Sequence, residues 1–134
     1  MNKKGTVRKA AYPRQIADVV SAYLEEGDIE GILTLFHPEC MVCFPPEEPP
    51  KKGIEAIRTL FSPFVEERAR LKSTVIGELI HGDLALLQAN WKIEDSKGNV
   101  MAEGSSTEVA KQKEDGSWVY YLDCPYGLPG GVIG

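Results

Sequence analysis

The spacing of hydrophobic positions changes near residue 70. Before it, three segments (13–27, 28–37 and 53–68) carry apolar residues three or four positions apart, and this spacing predicts three amphipathic helices. Gly27 is expected to end the first helix, and Asp28 is a suitable N-cap for the second. Pro38 is expected to close the second helix, while Pro63 should kink the third or end its first half.

Beyond residue 70 the pattern alternates with period two, which predicts strands over roughly 72–81, 84–94, 99–111 and 117–124. Short turn segments rich in Gly and Asp separate them, so neighbouring strands should pair antiparallel. A short strand at 41–44 precedes a proline-rich loop. Helices gathered at one end and strands at the other predict an α+β fold, with three N-terminal helices packed on a strongly bent antiparallel sheet.

The length of 134 residues predicts one domain. We expect a flexible N-terminal lead over 1–11, the domain itself over 12–127, and a Gly-rich tail over 128–134.

Composition mainly excludes classes of function. The net charge is −5 with basic residues scattered after the first nine, so nucleic acid is not an expected partner. No apolar run approaches the roughly 20 residues that cross a bilayer, and no apolar stretch of a signal peptide begins the chain, so a cytoplasmic protein with no membrane partner is predicted.

Cofactor and metal chemistry are also not expected. The pair Cys40 and Cys43 matches C-x-x-C, but residues three apart on a strand point to opposite faces, so redox or zinc chemistry is disfavoured. The two histidines lack a convergent set of carboxylates, and no phosphate-binding loop or dinucleotide fingerprint is present. We therefore predict no metal and no cofactor.

Three ordered patterns resemble the nuclear-transport-factor-two-like superfamily, and within it small bacterial SnoaL-like proteins of cystatin-like α+β cone fold. Residues 23–40 are similar to the family's helix–Gly-Asp–helix opening, and residues 52–61 to its third helix, which a glycine precedes. Residues 108–127 resemble its terminal hairpin. The resemblance implies a fold and not a reaction, because this fold carries enzymes of several types as well as binding proteins.

The resemblance also implies a pocket between the helices and the sheet. In the family's ketosteroid isomerases a general-base Asp, a Tyr and a protonated carboxylic acid act together. Counted from the shared motifs, the base position falls on Phe44, the Tyr position on Val20 and the acid position on Glu108. Without a base and a phenol, that isomerase reaction is not expected.

By the same template, one sheet face would line the pocket and the other would form an interface. The implied pocket residues are Leu86, Gln88, Asn90, Ser106, Glu108, Tyr121 and Asp123. The implied opposite face carries Leu87, Ala89, Trp91, Ile93, Trp118, Tyr120 and Leu122. Because a large apolar sheet face marks an interface and family members commonly dimerise through this face, we predict a homodimer.

Glu108 and Asp123 are the candidate catalytic residues. Two carboxylates facing one cavity of low dielectric constant would repel, which raises at least one pKa and makes an acid–base pair. A bulge that shifts strand parity would instead place either residue in solvent. The candidate ligand-binding residues are Tyr23, Gln88, Asn90, Tyr121 and Tyr126, the last as a cover over the mouth. The alternatives are a place in the core for Tyr23, simple exposure to solvent for Gln88 and Asn90, and a disordered tail for Tyr126.

Three functional hypotheses remain open. The leading one is a protein that binds a hydrophobic or cyclic metabolite in an apolar pocket with polar groups at its end. The alternative is a cofactor-independent enzyme of isomerase, cyclase, hydrolase or dehydratase type that uses the pocket carboxylates. A third is an association domain whose cavity is collapsed.

Overall fold

The computed structural model describes residues 8–130, which form three α-helices and six strands. The helices are α1 (Ile16–Glu26), α2 (Ile29–Leu33) and α3 (Ile54–Glu66), and a short 3₁₀ turn over Pro13–Gln15 precedes α1. The strands are β1 (Phe36–Val42), β2 (Lys51–Lys52), β3 (Arg70–His81), β4 (Leu84–Glu94), β5 (Val100–Gln112) and β6 (Trp118–Cys124). The prediction of three helices in the first half of the chain is confirmed. The four long strands are also confirmed, and each of their ends lies within two residues of the predicted one.

The caps of the first two helices follow the predicted chemistry. Gly27 ends α1 in the left-handed conformation with φ 73°, where its N–H donates to the carbonyls of Tyr23 and Leu24. The side chain of Asp28 accepts a hydrogen bond of 3.0 Å from the N–H of Gly31 and begins α2. Helix α3 continues past Pro63 as one element.

The second helix is shorter than predicted, because it ends at Leu33 and not beside Pro38. The Thr34 hydroxyl donates to the Gly31 carbonyl at 2.6 Å, which closes the last turn. The N–H of Tyr120 then donates to the carbonyl of Leu35 at 2.9 Å, and β1 begins at Phe36. Phe36 and His37, which the local pattern assigns to the helix, therefore form part of a strand because that strand pairs with β6.

The sheet is mixed, which corrects the prediction of an antiparallel sheet. Within the described residues its strand order is β2-β1-β6-β5-β4-β3, and β1 lies parallel to β6 while the other neighbours are antiparallel. The predicted meander of β3 to β6 is correct. After β1 the chain passes through β2 and α3 to β3 at the opposite edge of the sheet, and the antiparallel meander from β3 to β6 then returns to β1. The last strand of this meander, β6, runs in the same direction as β1.

Four of the five strand pairs among the described residues show a register shift, including β3–β4 and β5–β6. The β3–β4 register shifts between Val75 and Gly77. The β5–β6 register shifts between Val109 and Ala110, which leaves Tyr121 without a counterpart on β5. The β5–β6 shift controls which β6 side chains reach the interior.

The helices cover one face of the sheet, here called the inner face, and the core lies between the two layers. Fully buried members include Ile16, Leu24, Ile32, Ile57 and Val42. Helix α1 lies against β3, and α3 against β1. The uncovered side, the outer face, is open to solvent in the isolated chain.

The end of the predicted flexible lead packs against the domain. Ala10 is 1% exposed, and its carbonyl accepts a hydrogen bond of 2.9 Å from the N–H of Trp118. The Arg8 guanidinium pairs with the Glu26 carboxylate. Residues 1–7 and 131–134, which belong to the predicted lead and tail, lie outside the described residues.

Among the described residues, no helix combines the length and the apolar character that crossing a bilayer requires.

Candidate functional site

A cavity of about 80 Å³ lies between the helices and the inner face of the sheet. Its walls are almost entirely apolar and strongly aromatic. The aromatic members are Phe36, Phe44, Phe61, Phe64, Trp91 and Tyr120, and the polar members are Ser73, Ser106, Glu108 and Asp123. Such a site has the character of a small-molecule pocket, although its volume is small.

Glu108 and Asp123 face each other across β5 and β6 inside this cavity. The register pairs them directly, and both are buried, with 8% and 9% of their surface exposed. Opposed residues on antiparallel strands have Cβ atoms roughly 5 Å apart. The prediction that both carboxyls point inward agrees with this geometry.

Burial changes the charge of this pair. Removal from water raises the pKa of Glu108 to about 7, and a hydrogen bond from Ser106 opposes that change. Burial also raises the pKa of Asp123 well above its usual range, and repulsion from Glu108 raises it further. Burial and mutual repulsion therefore favour the protonated forms of the pair over the doubly ionised form.

Nothing in the cavity wall supplies a positive charge to offset ionisation of the pair. Among residues 8–130, none of those that line the cavity is Lys, Arg or His. The carboxyl groups are thus available as hydrogen-bond donors at one end of an apolar chamber.

Tyr120 is a cavity residue that the sequence analysis assigned to the opposite face. The extra residue on β6 resets the alternation, so Tyr120 and Asp123, three positions apart, both point inward. Burial raises the pKa of the Tyr120 phenol well above its usual value, and the nearby Glu108 and Asp123 add to this effect. The phenol therefore remains protonated at all ordinary pH values.

Strand β4 has the opposite orientation to the template's. Leu86, Gln88 and Asn90 lie on the exposed outer face, whereas Leu87, Ala89, Trp91 and Ile93 lie on the inner face. The predicted position of Gln88 and Asn90 in the pocket is therefore wrong, and Asn90 accepts a hydrogen bond of 2.7 Å from the Ser105 hydroxyl on the outer face. The alternating pattern of β4 itself predicts the observed orientation, because Leu87, Trp91 and Ile93 make one face of the strand more apolar than the other.

The predicted interface residues must be corrected for the same reason. Of that set only Leu122 lies on the outer face, because the others pack against the helices or the cavity. The outer face instead carries one apolar row that crosses four strands through paired positions: Leu79, Leu86, Val109 and Leu122.

Two of the predicted ligand-binding tyrosines lie away from the cavity. Tyr23 is a core residue with 3% exposure, and its hydroxyl accepts a hydrogen bond of 2.8 Å from the N–H of Arg8. Tyr121 sits edge-on to His37 with ring centroids 5.1 Å apart, and the Lys111 ammonium lies over it. The bulge on β6 turns Tyr121 outward.

Tyr126 lies at the mouth of the cavity. Its ring stacks on Phe44 at 6.0 Å and lies 5.6 Å from the Trp91 ring, and both partners line the cavity. The Trp91 indole N–H donates to the Pro125 carbonyl at 2.7 Å, which anchors the segment that carries Tyr126. A side chain at Gly104 would meet the Tyr126 ring at 2.8 Å, so the glycine makes room for it.

All three positions that the isomerase template identified line the cavity. They are Val20, Phe44 and Glu108. Of these three positions only 108 carries an acid, and the second acid and the phenol of the cavity, Asp123 and Tyr120, lie at positions that the template does not use.

No group of three or more metal-ligating side chains occurs in residues 8–130.

The chain belongs to the SnoaL-like domain family, whose sequence profile matches residues 17–121. No match to a curated protein sequence was found. The structural comparisons show the fold that this chain shares with a protein described as NTF2-like and with one described as having a cystatin-like fold.

Three solved structures illustrate the shared fold. One, from Thiobacillus denitrificans, is described as a putative calcium/calmodulin-dependent protein kinase type II association domain; it has 16% identity and a TM-score of 0.67, with 88% of this chain and 98% of that chain covered. A putative dehydratase of the family from Streptomyces avermitilis has 15% identity and a TM-score of 0.63, with 83% and 89% covered. A Catenulispora acidiphila protein in complex with S-DNPA has 20% identity and a TM-score of 0.59, with 82% and 86% covered. At these identities the likeness concerns the fold alone.

Proposed function

We propose that this protein binds a small, uncharged, hydrophobic or cyclic metabolite in the cavity. The observation that carries the proposal is the buried Glu108–Asp123 pair at one end of an aromatic chamber. A protonated carboxyl can donate to a carbonyl or hydroxyl oxygen of the ligand, while the rings contact its apolar body. The Catenulispora structure, which shares the fold and is described as a complex with S-DNPA, supports this class of function.

The charge of the ligand follows from the cavity wall. An anion would be buried beside two acids without a cation among the lining residues, which is strongly unfavourable. A neutral ligand that accepts a hydrogen bond avoids this cost and favours the protonated pair. Its affinity should therefore decline as the pH rises above about 7, the pKa of Glu108.

The size of the ligand is limited by the cavity. A volume of about 80 Å³ is below that of ordinary drug-sized sites and suits a compact single ring better than a fused ring system. Larger ligands require movement of the mouth, where Tyr126 lies over Phe44 and Trp91.

The test is a set of three probes that differ mainly in charge: cyclohexanone, cyclohexylamine and cyclohexanecarboxylate. Ligand-observed NMR at pH 6 should detect binding of the ketone and not of the carboxylate. Replacing Glu108 by Gln should weaken the dependence of ketone affinity on pH, because the side chain can no longer ionise, and Glu103→Gln on the exposed side of β5 is the matched control. Equal binding of ketone and carboxylate, or preferential binding of the amine, would contradict the proposal.

A second candidate function is acid–base catalysis at the same pair. The observation that favours it is the pKa of Glu108, about 7, because a group with this value can both give and take a proton near neutral pH. Tyr120 adds a phenol that can donate a hydrogen bond. The family resemblance to a putative dehydratase is consistent with such chemistry.

Solvent exchange separates catalysis from binding. In deuterated buffer, an enzyme of this kind should exchange the α-hydrogens of the bound ketone faster than buffer alone, and Glu108→Gln should remove the excess rate. Binding without exchange supports the binding protein.

We also propose that a second copy of this chain covers the apolar row of the outer face. Leu79, Leu86 and Leu122 are 64%, 52% and 37% exposed, and with Val109 they form one continuous row across paired strands. A row that crosses a sheet in this way can pack against the same row of another copy about a two-fold axis. The putative association domain among the structural neighbours has the same fold.

Light scattering at micromolar concentration tests the dimer. The native protein should give a dimer mass and Leu86→Lys a monomer mass, while Thr74→Lys, an exposed position on β3 away from the row, should remain dimeric. A monomeric native protein would contradict the proposal.

A further inference from the structure

Two cysteines from different strands meet beside the cavity. Cys43 directly follows β1, and Cys124 ends β6, the strand parallel to it. Their sulfur atoms lie 3.3 Å apart, and the Cys43 N–H donates to the Asp123 carbonyl at 2.9 Å. The sequence offered no signal for this contact, because the two residues are 81 positions apart.

The geometry points to Cys43 and Cys124 as a reversible disulfide pair. A disulfide requires sulfur atoms about 2.05 Å apart and Cα atoms about 4.4–6.8 Å apart. Neighbouring strands lie about 4.8 Å apart, within that range. Closure therefore requires the sulfur atoms to approach by about 1.2 Å, which side-chain rotation and small backbone shifts can supply.

The two thiols have different roles in the oxidation. Cys43 is the more exposed and meets the oxidant first, whereas Cys124 is 6% exposed. Burial raises the pKa of the Cys124 thiol to about 12, with contributions from Cys43 and the neighbouring acids, so it is a poor first nucleophile.

A hydroperoxide is a sufficient oxidant, and the steps balance. The Cys43 thiolate attacks the peroxide O–O bond, takes one oxygen as a sulfenic acid and releases the alcohol or water. The Cys124 sulfur then attacks the Cys43 sulfur, the S–S bond forms, and the sulfenic oxygen leaves as water. The two thiols lose two electrons and two protons in total, and the peroxide is reduced.

The position of the pair gives the reaction a structural consequence. Phe44 follows Cys43, while Asp123 precedes Cys124 and Pro125 follows it, and all three line the cavity. A disulfide would join the two segments that form this side of the mouth. The disulfide itself does not depend on the proposed ligand; only an effect on ligand entry does.

The test uses the full-length protein with one equivalent of hydrogen peroxide, followed by intact-mass analysis and tryptic mapping. Trypsin leaves Cys40 and Cys43 together on residues 15–51 and Cys124 on residues 114–134. Mapping the Cys40→Ala variant therefore assigns the bond without ambiguity. We expect the loss of two hydrogens and one linked peptide pair in native and Cys40→Ala proteins, reversed by dithiothreitol.

Cys43→Ser and Cys124→Ser should each form no intramolecular disulfide, and circular dichroism checks that both are folded. A native protein that gains oxygen without linking these peptides, or links only to a second molecule, would overturn the inference. So would a linked pair that disappears in Cys40→Ala.

The oxidised protein should also melt at a higher temperature than the reduced one, because the bond closes a long loop in the unfolded chain. A lower melting temperature would show that the bond distorts the fold and would contradict the geometry argued above.

Discussion

The inner and outer faces of the sheet each break the usual rule of burial, in opposite ways. On the inner face two carboxyl groups, Glu108 and Asp123, are buried among aromatic rings. On the outer face the leucines of the apolar row are exposed to solvent. Because most residues obey the rule, these two exceptions are the informative positions of the molecule.

Successive residues along each strand point to opposite faces of the sheet. Leu86 is 52% exposed, and its neighbour Leu87 is 2% exposed, although their side chains are identical. The comparison shows that position in the ladder, and not residue type, decides the role of each leucine.

The largest expected effect comes from placing one charge on each face in turn. Leu87→Asp should destabilise the fold by about 4 kcal/mol or more, because the new acid would be buried directly opposite another acid, Glu108. Leu86→Asp should change the stability of the monomer by only about 0.5 kcal/mol. Urea unfolding of both variants measures the difference, and similar losses at the two positions would show that the faces are not distinct.

The next effect concerns the buried carboxyls and pH. The pKa of Glu108 is raised from 4.5 to about 7, so between these values the folded state keeps a proton that the unfolded state has lost. Its contribution to stability is therefore present at pH 4.5 and lost as the pH rises to 7, by about 3 kcal/mol.

Glu108→Gln should remove this dependence, so the stability of the variant relative to the native protein should increase with pH over that window. Glu103→Gln, from the exposed side of the same strand, is the control and should show no such trend. Parallel pH profiles of the native and Glu108→Gln proteins would mean that Glu108 is ionised and solvated.

The smallest expected effect concerns the mouth of the cavity, which Tyr126 covers just beyond the end of β6. Gly104→Ala would place a methyl group 2.8 Å from the Tyr126 ring, and displacing that ring should cost about 1 kcal/mol. The fluorescence of Trp91, which Tyr126 contacts, should change as well.

A double-mutant cycle provides the control. In a Tyr126→Ala background the cost of Gly104→Ala should largely disappear, because the clashing ring is absent. Equal costs in both backgrounds would show that Gly104 matters for another reason.

The helices and long strands could be predicted because they depend on local spacing and on turn residues. Gly27 and Asp28 act at the helix ends as expected, and the four long strands have nearly the predicted bounds. The inward position of Glu108 and Asp123 was also predicted, because the family resemblance placed both residues on the pocket face of the sheet.

The remaining site residues could not be predicted because their positions depend on register. One extra residue on β6 brings Tyr120 into the cavity and turns Tyr121 out of it. No local feature of the sequence marks that bulge. On β4 the template gave the wrong face, while the apolar pattern of the strand itself indicated the right one.

The sequence by itself determined the family and the order of the elements, because both follow from patterns between residues close in the chain. The tertiary structure alone decided which side chains share a space: Tyr120 with the acids, Tyr126 with Phe44, and Cys43 with Cys124. Those contacts join distant segments through strand pairing, and a shift of one residue in pairing reverses the direction of every side chain beyond it.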